Sequence, residues 1–131
     1  MRVIDTSVVL KWVVAEDRSN TAMLLIGQPF RAPDLLRGEA AHGLSRRCRE
    51  GVIDAADAFI GQRLIERSVV IVSSEFLSRR ALELSLELRH PAADCFFLAL
   101  AERQRTTFVT ADRKFVERCH GTRYEQIIEM L

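Results

Sequence analysis

Three stretches of this sequence are short, rich in β-branched residues and apolar without alternation: Arg2-Val3-Ile4, Val69-Val70-Ile71-Val72 and Thr107-Phe108-Val109-Thr110. A strand with one wet face alternates apolar and polar residues, so runs of this kind call for cover on both faces. The segments between them supply that cover. Ser19 reads as the cap of a helix ending near Gly27, and Phe30-Arg31-Ala32 reads as a short strand closed by Pro33. Asp34 is placed as an N-cap for a helix from Leu35 to Glu50, with Arg46, Arg47 and Arg49 in its last turns and Gly51 just beyond. Asp54 caps a helix to about Arg67, and Ser74 opens one to about Arg89. Pro91 starts a new segment whose apolar face runs from Ala92 to Arg105, and Asp112 opens a short helix to about Cys119. The tail from Tyr124 to Leu131 fits neither period decisively.

Strands alternating with one or two helices imply an α/β domain: a central, mostly parallel sheet of four to five strands with helices on both faces. At 131 residues the expectation is a single domain spanning 1–131. A composition of 48% hydrophobic and 28% charged residues excludes a disordered or fibrous chain. The net charge of +1 exerts no whole-molecule pull on nucleic acid, so any such binding must come from local patches. The longest uncharged run, Ser19 to Phe30, is too short to span a membrane. Asp5 and Lys11 break the apolar N-terminus where a secretory segment would be continuous. Three scattered cysteines, Cys48, Cys95 and Cys119, form neither a disulfide framework nor a C-x-x-C site, and a reducing cytoplasm is expected.

In parallel sheets, ligands bind beyond the carboxyl ends of the strands, where the strand order reverses. Asp5 ends the first strand, Asp112 follows the strand at Thr107 to Val109, and Asp94 lies in the first turn of its helix. All three are expected on that rim, with Asp5 and Asp112 at the ends of adjacent central strands. Taken singly, each reads first as a helix cap. Glu39 sits among Leu36, Ala40, Gly43 and Leu44, a setting that costs a lone carboxylate several kcal/mol unless it is paired, protonated or bound to a cation. A salt bridge to Arg37, Arg46 or a distant arginine would satisfy it. Four acids on one rim favour a bound cation, and an all-oxygen set suits Mg²⁺ or Mn²⁺.

Taken together, Val3-Ile4-Asp5-Thr6-Ser7-Val8, Ala32-Pro33-Asp34-Leu35-Leu36 leading to Glu39-Ala40, His90 to Glu102 around Asp94, and Val109-Thr110-Ala111-Asp112 resemble, in order, the four motifs of PIN domains. In size and lack of additions the chain is most similar to VapC-like toxins of toxin–antitoxin pairs. The resemblance implies a PIN-like fold and a cytoplasmic, metal-dependent endoribonuclease. It implies Asp5, Glu39, Asp94 and Asp112 as an acidic site for Mg²⁺ or Mn²⁺, with Asp5 and Asp94 as direct ligands and Glu39 as ligand or water-positioning base. Ser7 and Thr110 fall at supporting positions. Ala93 departs from the pattern, which often has an aromatic before the third acid. The implied partners are an RNA substrate, a cognate antitoxin and a second copy in a homodimer, with no membrane.

Arg46, Arg47 and Arg49 are candidate RNA contacts, although a solvated helix end of complementary charge reads the same way. His42 reads as a satisfied polar residue, and His90, His120 and Cys95 are assigned no chemistry. Met23 to Ile26 and Phe59, Ile60, Leu64 and Ile65 exceed what a thin domain can bury, so a groove for an amphipathic helix is expected. Two rival readings are a PIN-like domain kept only for interaction and a receiver-like signalling domain. The latter would need an acidic pair where only Asp5 stands and a phosphoacceptor Asp directly after the strand ending at Val72, where there is none.

Overall fold

β1 (Arg2–Ile4) lies in the middle of the sheet because Val3 and Ile4 have no wet side to offer; both are fully buried. The computed structural model describes residues 1–131. After β1 come α1 (Thr6–Val9), a 3-10 turn (Leu10–Trp12), α2 (Ser19–Met23), β2 (Phe30–Pro33), α3 (Leu35–Arg49), α4 (Ala55–Ser68) and β3 (Val69–Val72). The second half runs α5 (Ser78–Leu88), α6 (Ala92–Gln104), β4 (Phe108–Thr110), α7 (Arg113–Cys119), a 3-10 turn (Glu125–Ile127) and β5 (Ile128–Met130).

The five strands are all parallel in the order β3-β2-β1-β4-β5. The chain first steps outward from β1 through β2 to β3, then crosses back to β4 and β5. Right-handed crossovers therefore put α1 to α4 on one face and α5 to α7 on the other, and the order reverses between β1 and β4. This is the expected α/β architecture. Its order differs from the 2-1-3-4-5 arrangement of receiver domains, which disposes of that reading. One core of 31 buried residues joins the layers. Within it Phe97 stacks on Phe108 and Phe108 tilts onto Phe115, tying α6, β4 and α7 together.

Several local expectations need correction. Ser19 lies inside α2; Arg18 takes the N-cap position, and the Ser19 hydroxyl instead closes the preceding loop by donating to Val14 O and accepting from Glu16 N. The helix stops at Met23 and turns carry the chain to Gly27. Asp34 stands before α3 but makes no capping bond; its carboxylate faces Ser74, and that hydrogen bond holds its pKa below the ordinary value. Ser74 is thereby drawn into a bend, and α5 begins four residues later at Ser78. Asp54 does cap α4, accepting from Asp57 N at 2.8 Å. The tail forms the edge strand β5, with Glu129 held by Arg2 at 3.0 Å and by Thr107 at 2.5 Å.

Two glycines let the first helical turns seat directly on α3 and α4. A Cβ on Gly43 would lie 2.7 Å from Leu10 Cδ1, and one on Gly61 would lie 2.4 Å from Val13 Cγ1. Gly61→Ala therefore forces α4 away from Val13 and should destabilise the fold by about 1–3 kcal/mol, read as a lower urea midpoint at unchanged m-value.

Candidate metal centre

Because β1 and β4 are hydrogen-bonded neighbours, Asp5, directly after β1, and Asp112, two residues after β4, share one edge of the sheet. α6 brings Asp94 to the same edge from one face, and α3 brings Glu39 from the other. All four line a single open cleft of about 540 Å³, together with Thr6, Ser7, Lys11, Glu16, His42, Arg46 and Arg47. Arg49 does not line it.

Asp5 is only 5% exposed. It occupies the N-cap position of α1 yet makes no capping bond. Its Oδ2 instead accepts from Ser7 Oγ at 2.5 Å and Thr110 Oγ1 at 2.8 Å. Each hydroxyl oxygen in turn accepts a backbone N–H from the loop after β4, Ser7 from Ala111 at 3.0 Å and Thr110 from Asp112 at 3.1 Å. Burial pushes the Asp5 carboxyl up to about 7, against the pull of both hydroxyls and with the help of the Asp94 and Glu39 charges.

The other three acids follow one pattern. Glu39 accepts from Thr6 Oγ1 at 2.7 Å through Oε1, Asp94 meets His90 Nε2 at 2.6 Å through Oδ2, and Asp112 accepts from Phe115 N at 3.2 Å through Oδ1. Burial first, then the Asp94 charge, raises the pKa of Glu39. Each of the four carboxylates thus has one oxygen tied to the protein and the other without a protein partner. No lysine or arginine pairs with any of them: Arg37 is bound to Glu66 and Arg46 to Glu50, which removes the salt-bridge reading of Glu39. The cap reading holds for Asp112 alone. A set of free carboxylate oxygens, mutually repelling and paired with no lysine or arginine, fits a hard divalent cation.

His90 carries a contact that sequence reasoning missed. Its ring is nearly buried, stacks on Phe115 at 4.5 Å between centroids and fixes Asp94; His90, Asp94 and Asp112 place ligand atoms within 4.8 Å of one another. The signal was a His–Asp pair spaced i,i+4, obscured by the intervening Pro91. Thr6 was also missed. His42, expected to be a satisfied polar residue, is exposed in the cleft without a side-chain hydrogen bond.

The raised pKa of Asp5 makes a signed prediction. In the unfolded chain this group ionises near 3.8, whereas in the fold it holds its proton until about 7. The unfolded state then binds fewer protons across that window, so the contribution of Asp5 to stability is lost as pH rises from about 4 to 7. In chelator, Asp5→Asn should melt above wild type at pH 8, with the gap narrowing steadily towards pH 4 in a series of melting curves.

Known proteins share the fold. No curated protein matches the sequence. Among solved structures, a toxin–antitoxin complex from Klebsiella pneumoniae superposes with a TM-score of 0.72 at 13% identity, covering 98% of this chain and 96% of that one. VapBC2 from Rickettsia felis, bound to a DNA fragment from its promoter, gives 0.68 at 17% identity, covering 98% and 97%. These likenesses concern the fold. The family model for the PIN domain matches residues 2–121, a span that contains all four acids, and the chain belongs to the PIN domain family.

Proposed function

We propose that this chain is a VapC-like toxin: a divalent-metal-dependent endoribonuclease of the cytoplasm, restrained by a cognate antitoxin. The observation that carries the reading is the set of four carboxylates around the β1–β4 junction, each with one oxygen anchored and one free. Membership of the PIN family and structural likeness to toxin–antitoxin complexes support a toxin nuclease.

Asp5 and Asp94 would hold the ion, Mg²⁺ or Mn²⁺, with Asp112 completing the rim. When bound, such an ion supplies positive charge that polarises a phosphodiester and acidifies a water. The protein supplies the rest. Ser7 and Thr110 fix the Asp5 carboxylate so that its free Oδ1 faces the cleft. His90 fixes Asp94 through the Nε2–Oδ2 hydrogen bond. Glu39, anchored by Thr6, offers Oε2 to accept a proton from water, a role its raised pKa favours. Attack in line on phosphorus, with departure of the 3′ oxygen, leaves a 5′ phosphate.

The antitoxin would be held as an amphipathic helix in the groove of about 300 Å³ between α3 and α4, lined by Leu44, Cys48, Ala58 and Phe59. Phe59 and Ile60 stay largely exposed beside it, as do Met23 and Leu24, whereas Ile65 is buried in the core. Exposed Phe76, Leu82 and Leu86 around α5 offer a surface for a homodimer. No helix is long and apolar enough to cross a membrane.

The test pairs thermal melting with cleavage of a structured RNA. Wild type should gain about 2.7 kcal/mol of stability when Mg²⁺ or Mn²⁺ is present at roughly 100 times its Kd. Asp5→Asn and Asp94→Asn should lose most of that gain together with cleavage. Glu39→Gln should also abolish cleavage while keeping more of the ion-dependent stability. Metal-dependent cleavage retained in both aspartate variants would overturn the reading.

A further inference from the structure

A second cleft of about 540 Å³ opens on the far side of the acidic rim. It is lined by Arg89, His90, Pro91, Asp94, Asp112, Lys114, Glu117 and Arg118, so Asp94 and Asp112 form the ridge between it and the first cleft. No phenylalanine, tyrosine, tryptophan or large aliphatic side chain lines it.

The cations of the two clefts differ in state. In the first, Lys11 and Arg47 are both bound by Glu16 and are mostly covered, while Arg46 is paired to Glu50. The Lys11 and Arg47 charges are thus answered within the protein, whereas the Arg46–Glu50 pair is an exposed i,i+4 pair that neutralises little. In the second, Arg89, Lys114 and Arg118 are exposed and none makes a salt bridge, although Asp94, Asp112 and Glu117 line the same space. Lys114 and Arg118 stand i,i+4 on α7 and so project from one face of it. Arg89 reaches the cleft from the left-handed cap of α5, at φ 51.

We propose that this second cleft is the phosphate-backbone site for single-stranded RNA flanking the scissile phosphate, with Arg89, Lys114 and Arg118 as its contacts. A strand crossing the acid ridge has charged phosphates on both sides of the reacting one. On the near side two cations are covered by Glu16 and one, Arg46, is exposed in a surface pair; on this side three are exposed and unpaired. A protein segment is the poorer occupant, because protein interfaces centre on aromatic and apolar anchors and this cleft has none. The inference rests on the ribonuclease reading and deepens it: it moves the main backbone contacts from Arg46, Arg47 and Arg49 to α5 and α7.

The experiment measures binding of a fluorescein-labelled single-stranded RNA of mixed sequence to Glu39→Gln protein in Mg²⁺ across a salt series. Lys114→Gln with Arg118→Gln removes two charges from the cleft. Arg63→Gln with Arg67→Gln removes two from the exposed side of α4 and serves as the control of equal net charge. Loss of two phosphate contacts on a single strand should reduce the slope of log K against log salt by about 1.4, since each contributes about 0.7. The control should keep the parent slope. With Glu39 restored, the α7 pair should raise KM for RNA cleavage and retain kcat at saturating RNA. Arg89→Gly, which the positive φ accommodates without strain, should lower the slope further by about 0.7. Equal slopes for the α7 pair and the parent, or equal losses in the α4 control, would overturn the cleft assignment while wild-type cleavage upheld the enzyme. A wild type that neither binds nor cleaves RNA in Mg²⁺ or Mn²⁺ would overturn both.

Discussion

The carboxylate of Asp5 sits where the strand order reverses, almost sealed from water, with two hydroxyls donating to the same oxygen. Two opposed forces act on it. Burial favours the neutral acid, whereas the Ser7 and Thr110 hydroxyls favour the anion. A buried group of this kind costs several kcal/mol unless something answers its charge. The surrounding structure neither removes the charge with a basic side chain nor fills the space with an apolar one. It binds the loop after β4 to the same two hydroxyls through Ala111 N and Asp112 N, so the acid and the turn that carries its neighbour are positioned by one network.

Consecutive residues divide this work. Thr6 and Ser7 open α1, and their hydroxyls go to different carboxylates, Thr6 to Glu39 and Ser7 to Asp5. The first turn of α1 therefore couples the strand acid to the helix acid on α3. Gly43 and Gly61 allow that coupling, because a side chain at either would push α3 or α4 off the segment after α1. On the opposite face, His90, Phe115 and Phe108 form a run of rings from the Asp94 hydrogen bond into the core, so Asp94 is aimed by packing as well as by chemistry.

Most of the architecture was legible in the apolar runs, although the cover they called for is complete only on the central strands: at the edge, β3 buries Val69 but leaves Val70 half exposed. The rim acids were legible too, since Asp5 and Asp112 follow strands and Asp94 opens a helix. What escaped was what side chains do when an alternative partner is near. Ser19 and Asp34 have the composition of caps, but a loop carbonyl and Ser74 captured them. β5 escaped because three residues with an exposed Met130 carry almost no pattern; its strand character comes from β4 and from the clasp on Glu129. The helix ends at Arg89 and Arg105 lack the usual glycine, with arginine itself in the left-handed position at φ 51 and 53, and Pro91 was the surviving marker. His90 was hidden because its contact depends on how the chain enters α6, and spacing alone does not fix that.

The placement of β1 between β2 and β4 sets the order in which the molecule comes into being. β1 meets β2 after a short excursion, but its other edge stays open until Thr110 and its strand arrive, more than a hundred residues later. A ribosome delivers the chain from the N-terminus, and pairings this distant in sequence form late and slowly. For most of that interval Asp5 has only Ser7 and Glu39 of its eventual neighbours within the emerged chain, and lacks the Thr110 hydroxyl and the Asp94 and Asp112 carboxylates. The first third of the chain carries only half of the acidic rim, so any hydrolytic capacity arises only once α6 and β4 have docked, together with the fold itself.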